Sequence, residues 1–107
     1  MSNLSSLTLN FIQIDSLSAL GGLTNLRSLR LRSTNISDIS VLEELTNLTF
    51  IDLADNQISD IKPLVDNTGL GFVNDYNTLY LSGNPLSDIS INVYVPQLRD
   101  RGVDVYL

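Results

Sequence analysis

At 107 residues, 43% of them hydrophobic, the chain holds one core and no second domain. A net charge of -6 and a pI near 4.1 oppose binding to phosphate backbones and acidic membrane surfaces, so nucleic acid is not an expected partner, and no apolar run approaches the ~20 residues of a membrane span. The chain has no His and no Cys, which removes the commonest general base, the thiol nucleophile and nearly every transition-metal site.

The start, Met1 to Leu4, has no basic region followed by an apolar block, so no secretion leader is read there and the compartment stays open. From Leu4 onward one pattern recurs at a spacing of 22 residues: Leu9, Leu31 and Leu53; Ile14, Ile36 and Ile58; Leu17, Ile39 and Ile61; Leu20, Leu42 and Leu64. A fixed period of this size predicts a solenoid, whose repeats bury their apolar sides against one another and leave one continuous curved surface free. Within each period the residues fit L-x-x-L-x-L-x-x-N-x-I, read from Leu26 through Leu29, Leu31, Thr34 and Ile36, and again from Leu48 through Ile51, Leu53, Asn56 and Ile58.

In the fourth period Leu79, Leu81, Asn84, Leu86 and Ile89 match Ile51, Leu53, Asn56, Ile58 and Ile61 at an offset of 28, which places six added residues near Asp66 to Asp75, in a loop away from the strands. The boundaries are therefore repeats at about 4–25, 26–47, 48–75 and 76–89, with a C-terminal cap over 90–107. Ser90 to Arg101 reads as a short helix capped by Ser90, with Ile91, Val95 and Leu98 at helical spacing, Pro96 kinking it or marking its first turn, and Gly102 ending it. Val103 and Val105, alternating with Asp104, predict a closing strand.

These repeats, with the recurrent Ser-Asp-Ile at 37–39 and 59–61 and the Leu-Thr-Asn at 23–25 and 45–47, resemble the 22-residue bacterial leucine-rich repeats of the internalins. The stretch from Asn84 to Val103 is similar to the terminal cap of bacterial surface leucine-rich-repeat proteins, although no immunoglobulin-like segment follows. The resemblance implies an α/β repeat solenoid, right-handed, with a parallel concave sheet, short 3-10 or helical convex segments and a helix-strand cap. It also implies a bacterial parent that is extracellular or on the cell surface, and a function in binding protein.

Asn56 and Asn84 are read as a structural ladder that satisfies the open backbones of successive turns; Thr34 preserves part of it and Ile12 none. Asp38, Asp60 and Asp88 each precede an Ile at a turn and are expected to accept backbone N–H groups. Asp66-Asn-Thr-Gly fails the calcium-loop pattern, because its twelfth position is Asn77 rather than Glu, so no metal and no cofactor are expected. Asp52 and Asp55 are the carboxylates that a glycosidase reading would use; the plainer reading is a solvated acidic rim, and no enzyme is expected.

Strand alternation assigns to the concave face Ser6, Thr8 and Asn10; Ser28, Arg30 and Arg32; Phe50, Asp52 and Ala54; Thr78, Tyr80 and Ser82, with Arg27, Ser33, Asp55 and Asn77 beside them. Arg30, Arg32, Phe50, Asp52, Asp55 and Tyr80 form the expected partner-binding patch, since Arg and aromatics dominate binding hot spots. Against it stands a solvated sheet on which Arg30 and Asp52 pair across strands. Leu4, Leu7, Leu9, Ile12 and Ile14 form an N-terminal edge expected to face a neighbour, predicting a homodimer. The alternative function is a structural or self-assembling repeat fragment, or an engineered miniature, without a specific ligand.

Overall fold

The computed structural model describes residues 3–72 and 76–107. Five strands, β1 (Ser6–Thr8), β2 (Ser28–Arg30), β3 (Phe50–Asp52), β4 (Asn77–Tyr80) and β5 (Val103–Tyr106), form one sheet in sequence order. All neighbours are parallel, in the register Leu7, Leu29, Ile51, Leu79, Val105. A 22-residue repeat leaves room for one short return on the opposite side, and the chain makes it with 3-10 turns at Ser18–Gly22 and Ser40–Glu44 and a five-residue helix α1 at Lys62–Asp66. The N–H groups of Leu20, Leu42 and Leu64 donate three residues back to the carbonyls of Leu17, Ile39 and Ile61, so each return is closed in the same way.

Between the sheet and these returns lies the core, where Leu26, Leu29, Leu31, Leu48, Ile51, Leu53, Ile58, Ile61 and Leu64 are all buried. Each is worth about 1.5–3 kcal/mol of transferred apolar surface. The ladder closes the polar side of this core. Asn56 Nδ2 donates to Leu31 O (2.8 Å) in the preceding repeat and to Leu53 O (2.9 Å) in its own, while its Oδ1 accepts from Thr34 N (2.8 Å) and Ile36 N (3.3 Å). Asn84 repeats the arrangement, half-buried, with Leu53 O, Leu81 O and Ile58 N. The Thr34 hydroxyl keeps the bond inside its own repeat, to Leu31 O (2.9 Å), and shares its proton with Asn56 Oδ1 (3.1 Å) in the next. At the first repeat Ile12 is 54% exposed and outside the ladder. Asn10, expected on the open face, is half-buried there and accepts the Arg32 N–H at 2.9 Å.

After each of the first four strands the chain steps through a left-handed residue: Phe11 (φ 63°), Ser33 (57°), Asp55 (59°) and Gly83 (75°). Gly83 is required for a further reason, since a Cβ there would lie 2.1 Å from the Asp55 Oδ1.

The six added residues lie later than the loop composition predicts. Leu70 is fully buried at the 22-residue position of Leu48, and Asn67-Thr68-Gly69-Leu70 is a degenerate Leu-Thr-Asn-Leu. Asn67 stands where Leu45 stands, and satisfies its burial by donating to Leu42 O and Leu45 O and accepting from Gly69 N and Leu70 N. Gly69 is pressed against the Thr46 carbonyl, 1.7 Å from where its Cβ would be. The insertion thus follows Leu70 and leads directly into β4; its residues 73–75 lie outside the described residues.

The cap also starts earlier than expected. Ser87, not Ser90, caps the helical segment, its Oγ accepting the Ser90 N–H at 3.2 Å. That bond takes the place of the one expected of Asp88, which lies exposed in the first turn. Ser90 is itself buried, donating to Ser59 O (2.8 Å) and accepting from Ile61 N (3.2 Å). With Ser90 inward, Ile89 (52%) and Ile91 (41%) are exposed, contrary to their assignment by repeat and by helical spacing. A π turn at Ser90–Tyr94 precedes α2 (Val95–Asp100), and Pro96, which lacks an N–H, follows at the point where the wider turn has already skipped a bond. Arg101 fastens the cap to the end of α1 through the carbonyls of Val65 and Asn67, and Arg99 donates to Val105 O.

Candidate protein-binding face

Leu7, Leu29, Ile51, Leu79 and Val105 point into the core, so their strand neighbours stand on the open, concave face. There the side chains form a continuous row across four strands. The Arg30 guanidinium lies 4.4 Å from the Phe50 ring centroid. Phe50 meets Tyr80 at 5.7 Å with the rings tilted by 56°, and Tyr80 stacks on Tyr106 at 4.9 Å and 19°. Each contact joins adjacent strands, which is why the parallel register brings together residues far apart in sequence. Tyr106, 51% exposed, extends the patch by one strand beyond the residues that sequence reasoning named. Its signal was present, because alternation in Val103-Asp104-Val105-Tyr106 sets Tyr106 outward wherever both valines are inward.

Asp52 differs from the expectation. It is 6% exposed, its Oδ2 is 3.1 Å from Arg32 Nε, and its Oδ1 accepts the Ala54 N–H at 3.1 Å. Asp52 therefore pairs with Arg32, not with Arg30 opposite it in register, because Arg30 is laid over Phe50. Arg32 Nη1 also lies 4.0 Å from Asp55 Oδ2. Asp52 is thus a buried support that orients Arg32, while exposed Arg30 makes no ion pair among the described residues. Ala54 and Asn77, assigned to or beside the open face, are buried. At the N-terminal edge Leu4, Leu7, Leu9 and Ile14 are half-buried against the core, and Phe11 (74%) and Ile12 (54%) are the exposed apolar residues.

On the convex side Asp38 Oδ1 accepts the Ser40 N–H and Asp60 Oδ1 the Lys62 N–H, both at 2.9 Å, as the Asp-Ile turns predict. The backbone and hydroxyl of Ser40 hold the Asp38 carboxyl below its ordinary value of 3.8. The hydrogen bond and charge of Asp66, 3.3 Å away, raise Lys62. A shallow depression of about 570 Å³ between the first two returns is lined by Asp15, Asp38, Glu43 and Glu44 with no cationic side chain.

The leucine repeats and the fold they build are matched by known proteins. A family model for leucine-rich repeats in two copies matches residues 24–66. This is a leucine-rich-repeat domain of internalin-like type. Among solved structures it is similar to internalin C2 of Listeria monocytogenes, with 31% identity and a TM-score of 0.78, the match covering 99% of this chain and 42% of that one. It is also similar to an internalin, inlF, of the same organism, with 28% identity and a TM-score of 0.69 over 98% of this chain and 35% of that one. The leucine-rich-repeat domain therefore spans about two fifths of the length of the internalins it matches. A search of curated proteins finds no match. Leucine-rich-repeat domains as a class are protein-interaction modules, and their extended curved faces are the surfaces they use.

Proposed function

We propose that this leucine-rich-repeat domain binds a protein partner on its concave face, through Arg30, Phe50, Tyr80 and Tyr106, with Arg32, Asp52 and Asp55 as an oriented charged border. The observation that carries this reading is the unbroken row of one guanidinium and three aromatic rings, held in mutual contact on an open sheet face. Aromatic and Arg side chains in contact are anchors that lose little conformational entropy on binding. Catalysis on this face is not supported, because both oxygens of Asp52 are engaged by Arg32 and by the Ala54 N–H. The test is affinity capture with the immobilised domain and quantitative mass spectrometry. A protein retained by the wild type and lost with Phe50→Ala/Tyr80→Ala, at unchanged circular dichroism, supports the reading; identical retention by both chains refutes it.

A second reading, self-association through the N-terminal edge, draws support from the exposure of Phe11 and Ile12. Sedimentation equilibrium of the wild type against Phe11→Ser/Ile12→Ser distinguishes it, since only an edge contact is weakened by that pair.

A further inference from the structure

Resting on the concave face as the binding surface, we infer that the segment it takes is an extended, proline-rich stretch in polyproline II conformation, with an acidic residue at the end that meets β2. The charge distribution argues for the acid. The molecule carries -6 overall, and its cations are mostly committed: Lys62 to Asp66, Arg99 to Val105 O, Arg101 to Val65 O, Arg32 to Asp52. Arg30, with exposed Arg27 near it at the entry to β2, is left as a cationic spot on an acidic body. Its planar face is occupied by Phe50, and the N–H groups on its edge remain to grip a carboxylate. At the other end of the row Asp104 stands exposed on β5 beside Tyr106, so an acidic group there is repelled. The face thereby sets the direction of its ligand.

The shape argues for polyproline II. The row crosses the face of the sheet over β2, β3 and β4, each paired on both sides, and ends on β5, paired on its β4 side, so a segment laid along the row meets side chains and no free main-chain edge until it passes β5. What the row offers is ring surface, the hydroxyls of Tyr80 and Tyr106, and the guanidinium of Arg30. A polyproline II segment supplies the complement: pyrrolidine rings for aromatic contact and carbonyls with no internal hydrogen bond to accept from these donors. The successive contacts of 4.4, 5.7 and 4.9 Å give a row roughly 15 Å long, which a rise of about 3.1 Å per residue fills with about five residues.

Isothermal titration of the domain with four synthetic peptides tests this: five prolines preceded by two aspartates, by two serines or by two lysines, and an alternating Gly-Ser segment preceded by two aspartates. The acidic proline peptide is expected to bind about tenfold more tightly than each of the others, a charge-assisted contact on top of ring contact. Arg30→Ala brings the acidic proline peptide down to the level of the serine one, and Tyr106→Ala, at an exposed site, weakens the acidic and the serine proline peptides about tenfold. Equal binding of the Gly-Ser and proline acidic peptides, no preference for acid, or no effect of Tyr106→Ala each overturns the inference. If no peptide binds while a captured protein is still lost with Phe50→Ala/Tyr80→Ala, the concave reading stands and this inference falls; if both assays are negative, both fall.

Discussion

Replacing Asn56 by Leu removes the amide that joins two repeats while keeping similar bulk. Two buried backbone donors, Thr34 N–H and Ile36 N–H, then lose their acceptor, and the Leu31 and Leu53 carbonyls lose a donor. Leu31 O still has the Thr34 hydroxyl, so the larger loss is on the donor side. At about 1–3 kcal/mol for each orphaned buried donor, the two together cost about 2–6 kcal/mol. A domain of this size has about 5–15 kcal/mol in all. In urea, with a slope of about 2 kcal/mol per molar, the midpoint should fall by about 1–3 M. Asn10→Leu removes a single acceptor, of Arg32 N–H, at a half-buried site that water reaches, and should cost within about 1 kcal/mol. Coincident urea midpoints for wild type and Asn56→Leu would refute the ladder and the repeat register built on it.

Gly83→Ala should cost about 1–3 kcal/mol, read as a lowered Tm, because its Cβ meets Asp55 Oδ1 at a left-handed residue; Asp55→Ser should restore part of the loss, and no restoration would mean that backbone strain alone is at work. Ser90→Ala should destabilise by about 1–3 kcal/mol through the buried Ile61 N–H and Ser59 O, whereas Ile91→Ala, exposed, should stay within about 0.5 kcal/mol in the same thermal melts. The Asp38 carboxyl is depressed in the folded chain, so its contribution is present above its unfolded value and lost as pH falls through the lower folded value; the Tm difference between wild type and Asp38→Asn should therefore shrink below pH 3.8, and a constant difference would contradict the Ser40 bonds as its cause. Phe50→Ala, Tyr80→Ala and Tyr106→Ala together should leave stability within about 1 kcal/mol per site, while Asp52→Ala should cost more because it strands the Ala54 N–H.

The fold was legible wherever a side chain's position follows from period alone. Leu29, Ile51 and Leu79 fall in one register because each repeat must bury the same face, and Asn56 and Asn84 declare themselves because a buried amide needs a structural reason. Legibility failed where a polar residue occupies an apolar slot. Asn67 in the Leu45 position hid the last Leu-Thr-Asn-Leu, and Ser90 in an inward position turned Ile89 and Ile91 outward. On the concave face, alternation correctly set Arg30, Phe50 and Tyr80 outward. It says nothing of which Arg an Asp chooses: Asp52 took Arg32 because Phe50 competes for Arg30, a preference that appears only when side chains from three strands are placed together.

The most direct test of the concave face as the working surface is site-specific photo-cross-linking. A benzophenone side chain is placed at Thr78, which stands outward on β4 between Phe50 and Asp104 in register, or at exposed Gln97 on the cap helix. With the captured partner present, the face described here predicts a partner adduct from Thr78 and none from Gln97. Adducts from Gln97 alone, or equal yields from both positions, would contradict it.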